Sequence, residues 1–135
     1  MAAGSVQPRW LHGSVHAAGW LRDEVALAFS SSGTLSQADP QYRQRDQQTD
    51  LADAVSEALE HRSVLVAEAG TGVGKTYAYL VPLLLSGLRA MVSTATKGLQ
   101  DQLYLRDLPR LVAAFGCHCA PLCSRGALPI FALIA

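Results

Sequence analysis

The chain has 135 residues, room for one domain of ordinary size, and half of them are apolar, so a core can form. Eleven Lys and Arg against eleven Asp and Glu give a formal net charge of zero, which excludes a polybasic coat that binds nucleic acid by bulk charge. Residues 1–110 are too polar for a membrane protein, and the chain is too apolar for a disordered one.

Residues 1–21 are mixed in texture, with Trp10 and Trp20, and form an undefined N-terminal segment lacking the charged start and apolar run of a signal peptide. Regular patterning occupies residues 22–115. Asp50–Glu60 carries Leu51, Val55 and Leu59 at four-residue spacing, which predicts a helix with one apolar stripe. Ser63–Ala67, S-V-L-V-A, is the continuous apolar run that a fully buried parallel strand requires. A Gly-rich turn follows, then a helix over Thr76–Leu85 that Pro82 is expected to kink. Arg89–Ser93 reads as another short strand and Gly98–Leu105 as a further helix. Strand, Gly-rich turn, helix, strand is a βαβ unit, so the expected fold class is α/β with a parallel sheet flanked by helices.

The turn carries the chemistry. Ala69-Gly70-Thr71-Gly72-Val73-Gly74-Lys75-Thr76 matches the phosphate-binding loop, with Ala69 in the first Gly position. Its glycines allow positive φ and let backbone N–H groups converge on phosphate oxygens. The helix that opens near Lys75 points its positive dipole end at the same anion. Lys75 would reach the β- and γ-phosphates of ATP, and the Thr76 hydroxyl would ligate Mg²⁺. The competing reading, a chance Gly-rich turn, is weakened by the apolar strand pattern just before it. Lys75 and Lys97 are the only lysines; for Lys97, a solvated lysine at a helix start is the equal alternative.

Three patterns then stand in order: Tyr42-x-x-Arg45-x-x-Gln48-x-x-Leu51-Ala52, E-A-G-T-G-V-G-K-T-Y-A-Y-L from Glu68, and S-T-A-T-K-G-L-Q-D-Q-L from Ser93, leading into Y-L-R-D-L-P. Over roughly Phe29–Ala114 the chain resembles the XPD/DinG-type superfamily-two DNA helicases, and the last pattern is most similar to their YoaA-like branch. The resemblance implies a partial RecA-like domain that couples ATP hydrolysis to 5′-to-3′ movement on single-stranded DNA. It assigns adenine recognition to Arg45 and Gln48 with Tyr42 stacking, and places Lys75 and Thr76 at the reacting phosphates. It assigns Thr94, Thr96 and Lys97 to the backbone of single-stranded DNA, with Gln100 and Gln102 adding polar contacts. Taken alone, Gln48, Gln100 and Gln102 would be solvated helix residues, and Glu68 would close its strand rather than act as a base. The cysteine usage and the lack of a signal-peptide pattern set the expectation of a cytoplasmic protein. The apolar tail, Ala127–Ala135, is far short of the roughly 20 residues a bilayer needs, so no membrane is expected, and protein partners stay open.

The sequence also departs from that family. No D-E-A-H-type acidic motif follows the loop, and no second motor domain is recognisable, so this chain alone is expected to bind ATP weakly and without turnover. A small P-loop module acting as a regulator and an inactive gene fragment are the alternatives. The family also carries a four-cysteine 4Fe–4S cluster, whose ligands are not recognisable here. Cys117, His118, Cys119 and Cys123 form a compressed C-H-C-x-x-x-C that fits no strong zinc or cluster template. Three cysteines without a signal peptide point to a reducing compartment.

Residues 116–135 read as an aberrant tail with a frameshifted origin. Back-translated with permitted codons and read from the third base, Pro121–Ala135 gives A-V-L-K-G-R-A-T-Y-L-C-L-D-R. That string resembles the lead-in to the family's first cluster cysteine, L-K-G-R-x-x-Y-L-C. The gene's nucleotide sequence is therefore expected to encode Arg125 as AGG and to run TGC across Phe131–Ala132; any other codons there refute the frameshift.

Overall fold

Helix α1 (Trp20–Phe29) opens without a side-chain cap from its own neighbourhood. Its Leu21 N–H instead donates to a Glu60 carboxylate oxygen at 2.8 Å, across 39 residues of sequence. Leu21, Val25, Ala28 and Phe29 recur at helical spacing and are all buried. The short α2 (Thr34–Ala38) adds Leu35 to the same core. The computed structural model describes residues 19–117 in full and the backbone of residues 120–123 and 130–134. Residues 1–18 with Trp10, together with His118 and Cys119, lie outside the described residues.

Helix α3 (Asp46–His61) is longer at both ends than its apolar stripe suggests and stops at Arg62, in the left-handed region at φ 51°. Two of its faces do separate work. Asp53 and Glu60 reach α1, Asp53 through a two-pronged pair with Arg22 in which both N···O distances are 2.6 Å. Gln48, Ala52 and Ser56 form a buried stripe at four-residue spacing, and Gln48 bonds the N-terminal end of α4. That places this stripe against α4. Its two small members let the two backbones come close.

Helix α4 (Lys75–Ser86) is apolar nearly all round, with Ala78, Leu80, Val81, Pro82 and Leu84 buried. A helix of that kind belongs inside, and α4 is packed by α1, α3 and α6 together. It runs through Pro82, which cannot donate to the Ala78 carbonyl, and ends at Gly87 in the left-handed region. After β1 (Ala90–Ser93), Thr96 caps α5 (Lys97–Gln102), its Oγ1 accepting the Leu99 N–H at 3.2 Å. Helix α5 continues through a π-helical turn (Leu103–Asp107) into α6 (Leu108–Phe115). There the Leu108 N–H reaches five residues back to Leu103. Pro109 follows at once; its ring and missing N–H disfavour the regular helical bond at this point.

The strand expectations come out differently. β1 pairs antiparallel with β3 (Ile130–Ile134), which pairs antiparallel with β2 (Ala120–Cys123), giving the order β1-β3-β2. In the register Ala90 stands opposite Leu133 and Ala120 opposite Ile134. Ser63–Ala67 is not a strand: it has no regular structure and is unpaired among the described residues, with Val64 92% and Val66 93% exposed. A continuous apolar run says that a segment suits burial on both faces, whereas a parallel strand exists only where a ladder partner also lies alongside. Among the described residues the one partner taken by β1 runs antiparallel, so the parallel sheet is not formed there.

The Arg22 guanidinium holds the Asp53 carboxyl below the usual carboxylate range. A carboxyl with a lowered folded pKa stabilises the fold above its unfolded pKa and loses that contribution as pH falls through the folded value. Asp53→Asn should therefore lower the Tm at pH 7 and leave it unchanged once the pH is well below about 3.9. The drop will be small, because both side chains are nearly half exposed. Thermal melts of both proteins across that pH range check it; a gap that persists in acid would show that the pair is not its cause.

Candidate nucleotide-binding site

The segment from Ala69 to Gly74 turns without regular structure into the first residue of α4, Lys75. Gly72 (φ 81°) and Gly74 (φ 88°) both take left-handed backbone, as the glycine spacing anticipates. Val73, between them, is buried and anchors the turn to the body of the protein.

Three side chains donate to the carbonyls of this turn. The Lys75 ammonium donates to Ala69 at 2.6 Å and to Gly70 at 2.8 Å. Arg45 donates through Nη1 to the Gly72 carbonyl. Gln48 donates through Nε2 to the Gly74 carbonyl at 2.9 Å. A trans peptide points its carbonyl and N–H to opposite sides. Holding the Gly72 and Gly74 carbonyls therefore aims the Val73 and Lys75 N–H groups away from Arg45 and Gln48. The Lys75 N–H is among those that a helix start leaves without an intrahelical partner. The turn thus offers backbone donors, the positive end of a twelve-residue helix and one ammonium to an anion.

Of the adenine-motif residues, the structure brings Arg45 and Gln48 to the loop and turns Tyr42 elsewhere. The Tyr42 hydroxyl donates to the Phe29 carbonyl at 3.0 Å, and burial pushes its phenol pKa up while nearby Arg45 pulls it down. Its ring lines a separate cleft of about 740 Å³ with Tyr77 and Arg110, which no loop residue borders. Gln48 is buried, so it is a structural ligand of the loop in this state rather than a solvated helix residue. Thr76 is half-buried beside the Tyr79 phenol, one turn further along α4.

The residues assigned to DNA lie together at the start of α5. Thr94 Oγ1 donates to the Thr96 carbonyl at 3.0 Å, and Thr96 is the helix cap. Lys97 donates to Gln100 Oε1 at 2.6 Å, with Asp101 3.9 Å away. Gln100 is fully buried, an internal acceptor for Lys97 rather than an exposed helix glutamine. Gln102 donates to Asp107 Oδ2 at 3.1 Å. Sequence reasoning passed over Asp107 and Tyr79, although both lie inside the patterns Y-L-R-D-L-P and K-T-Y-A-Y-L. Glu68 is exposed. Among the described residues no group of three or more His, Cys, Asp or Glu gathers to hold a metal, and no helix is long and apolar enough to cross a membrane.

The glycine turn A-G-T-G-V-G-K-T thus stands at the head of a buried helix, the place in the fold that the phosphate-binding loop pattern calls for. Residues 48–121, more than half of the chain, match the DEAD/DEAH box helicase family model, and the chain belongs to that family. The membership carries a RecA-like fold for the matched region. The chain is 48% identical over 92 residues to the ATP-dependent DNA helicase YoaA of Haemophilus influenzae, covering 68% of this chain and 14% of that protein. It is 49% identical over 86 residues to the ATP-dependent DNA helicase YoaA of Escherichia coli, covering 64% and 14%. It is 51% identical over 74 residues to the ATP-dependent helicase DinG of Mycobacterium tuberculosis, covering 52% and 11%. The resemblance to the DinG and YoaA helicases is thereby borne out, and the chain spans 14% of the length of the first of these relatives. No solved structure matches the chain.

At Gly74 a Cβ would meet the Gln48 amide, and φ 88° is itself strained for any other residue. Gly74→Ala should lower stability by about 1–3 kcal/mol through these two causes. Adding Gln48→Ala should relieve the clash but not the φ strain, so the double variant will be more stable than the two single losses summed. Urea unfolding of the three variants measures this; strict additivity would show that Gln48 and Gly74 do not meet.

Proposed function

We propose that this chain provides the ATP-gripping part of an ATP-dependent 5′-to-3′ DNA helicase. The observation that carries the reading is the loop held by Arg45 and Gln48 at the head of α4, the loop itself lying inside the family match. In this reading Ala69–Lys75 cradle the phosphates, and Lys75 leaves its two carbonyls for the β- and γ-phosphates, to which a charged hydrogen bond is stronger. The Thr76 hydroxyl, half-buried in the first turn, fits the position of a Mg²⁺ ligand. The ion would supply charge neutralisation at the transferred phosphoryl group. Arg45 and Gln48 bound the adenine side, and Tyr42 would have to leave the Phe29 carbonyl to stack on the base.

Thr94, Thr96 and Lys97 are the segment that meets the sugar-phosphate backbone of single-stranded DNA, with buried Gln100 holding Lys97 rather than touching the strand. Hydroxyls, backbone N–H groups and one cation suit contact without sequence readout. We further propose that Ser63–Ala67 and β1 become strands of a parallel sheet flanked by helices when the rest of the motor domain is present, and that the helicase works in the cytoplasm. Among the described residues no ligand set gathers for the four-cysteine cluster that the resemblance implies. Residues 116–135, in this proposal, are a frameshifted tail rather than a site.

Binding of a fluorescent ATP analogue with Mg²⁺, followed by an ATPase assay with and without oligo(dT), tests this. The expected result is weak binding without turnover in this chain. Lys75→Ala should weaken binding about tenfold or more, since a hydrogen bond to a charged group contributes about 1.5–3 kcal/mol. Absence of nucleotide binding, or binding indifferent to Lys75, would overturn the reading.

A further inference from the structure

Ser63–Ala67 contains no charged residue, no Pro and no Gly. All of it is exposed, Val64 and Val66 almost completely. No backbone N–H or C=O of residues 64–68 enters a backbone hydrogen bond among the described residues. Free backbone groups beside β-branched side chains, with no charge or proline to blunt them, make an open template for another strand. Val64 and Leu65 share a cleft of about 300 Å³ with Ala54, Glu57 and Ala58 of α3, which leaves room beside the segment.

The two ends of the segment decide which strand fits it. Arg62 precedes it and Glu68 follows it. Both are exposed, and neither has an ion-pair partner among the described residues. Turned end for end, R-S-V-L-V-A-E matches itself. In an antiparallel pair of two copies centred on Leu65, Val64 stands opposite Val66, Ser63 opposite Ala67, and Leu65 opposite its own copy. Val64 and Val66 share one strand face, so two valine pairs lie there together. At each end the long Arg62 side chain of one copy, leaving the end of α3, meets Glu68 of the other. Apolar β-branched pairs and opposite-charge pairs both favour such a ladder. Other pairings lose the match. A parallel pair in register sets Arg62 against Arg62 and Glu68 against Glu68, and a slip of one residue takes the charges off each other. Strand β1, at the edge of its sheet among the described residues, is flanked by Arg89 and Thr94 and has no such complement.

We propose that Ser63–Ala67 is a self-docking edge, through which two copies of this chain pair as antiparallel strands about a two-fold axis at Leu65. The contact is isologous, each copy giving and receiving the same residues. Two strands bury little area, and the segment must become ordered to pair, so the dimer is weak and concentration-dependent. The parallel sheet proposed above uses the same backbone groups, so a motor domain that builds that sheet no longer offers this edge. Pairing is read as mass in solution without nucleotide, so its failure and the failure of the proposed function are separate results.

Sedimentation equilibrium of the whole chain over a range of concentrations tests this, with circular dichroism confirming that each variant folds. The wild type should pass from monomer to dimer as concentration rises. Arg62→Glu alone and Glu68→Arg alone each turn both end pairs into like charges, and each should weaken dimerisation about tenfold or more. Mixed in equal amounts, the two variants restore opposite charges in both end pairs, and the mixture should dimerise about as tightly as the wild type. Hydrogen exchange of the wild type should show amides within residues 64–68 protected at high concentration and open at low concentration. A wild type that stays monomeric, a dimer that neither variant weakens, or a mixture no tighter than its components would overturn the pairing. Protection of these amides at every concentration would overturn it as well, because the segment would then pair within its own chain. Should either variant not fold, the concentration dependence of exchange in the wild type decides.

Discussion

The site depends first on one buried amide. Gln48 donates to the carbonyl of Gly74, the residue that turns the loop into α4. Gln48 shares a face with Ala52 and Ser56, the small residues that let α3 lie close to α4. Helix packing thereby sets the position of the amide, and the amide sets the plane of the last peptide before Lys75. A buried Gln would be unfavourable unless its polar atoms were engaged, so the same bond that shapes the loop also makes the α3–α4 seam tolerable. Gly74 has no Cβ because the Gln48 side chain fills that space.

This explains how the glycine loop can hold its form with its preceding segment unpaired. Ser63–Ala67 is exposed and outside any ladder among the described residues, yet the loop is fixed from its other end. Gln48 and Arg45 come from α3 and the residue before it, and α3 is in turn held to α1 by the Arg22–Asp53 pair and the Glu60 cap. The helical layer carries α4, and α4 carries the loop. A parallel sheet would brace the same loop from the strand side, an addition to this support rather than its source.

What the sequence made legible follows the range of the forces involved. The loop was legible because its requirements are local: glycines where φ is positive, a lysine and a threonine at the helix start. Helix α3 was legible from apolar spacing and α4 as the segment that follows the Gly-rich turn, with ends a few residues off. Helix α1 was not, since its N-terminal cap comes from Glu60 on another helix, and no capping residue stands where the helix begins. The strand over Ser63–Ala67 was expected from its apolar run, but pairing is a property of two segments and the pattern reports only one. Gln100 and Asp107 were hidden for a related reason. Burial of a polar residue depends on a partner, Lys97 for one and Gln102 with Arg106 for the other, and composition carries no trace of such pairs.

The donors around the loop differ in what a bound phosphate would require of them. Arg45 and Gln48 act on carbonyls that face away from the anion side, so both bonds can persist while a nucleotide is bound. Lys75 is different: its ammonium sits on the Ala69 and Gly70 carbonyls and, in the proposed function, would release them to meet phosphate. Neutral carbonyls are weaker acceptors for an ammonium than phosphate oxygens are, which would favour the exchange in the proposed nucleotide complex. Until then the two carbonyls keep the lysine folded over the loop. The loop is thus built from a fixed part, set by helix packing, and an exchangeable part, which is the one lysine.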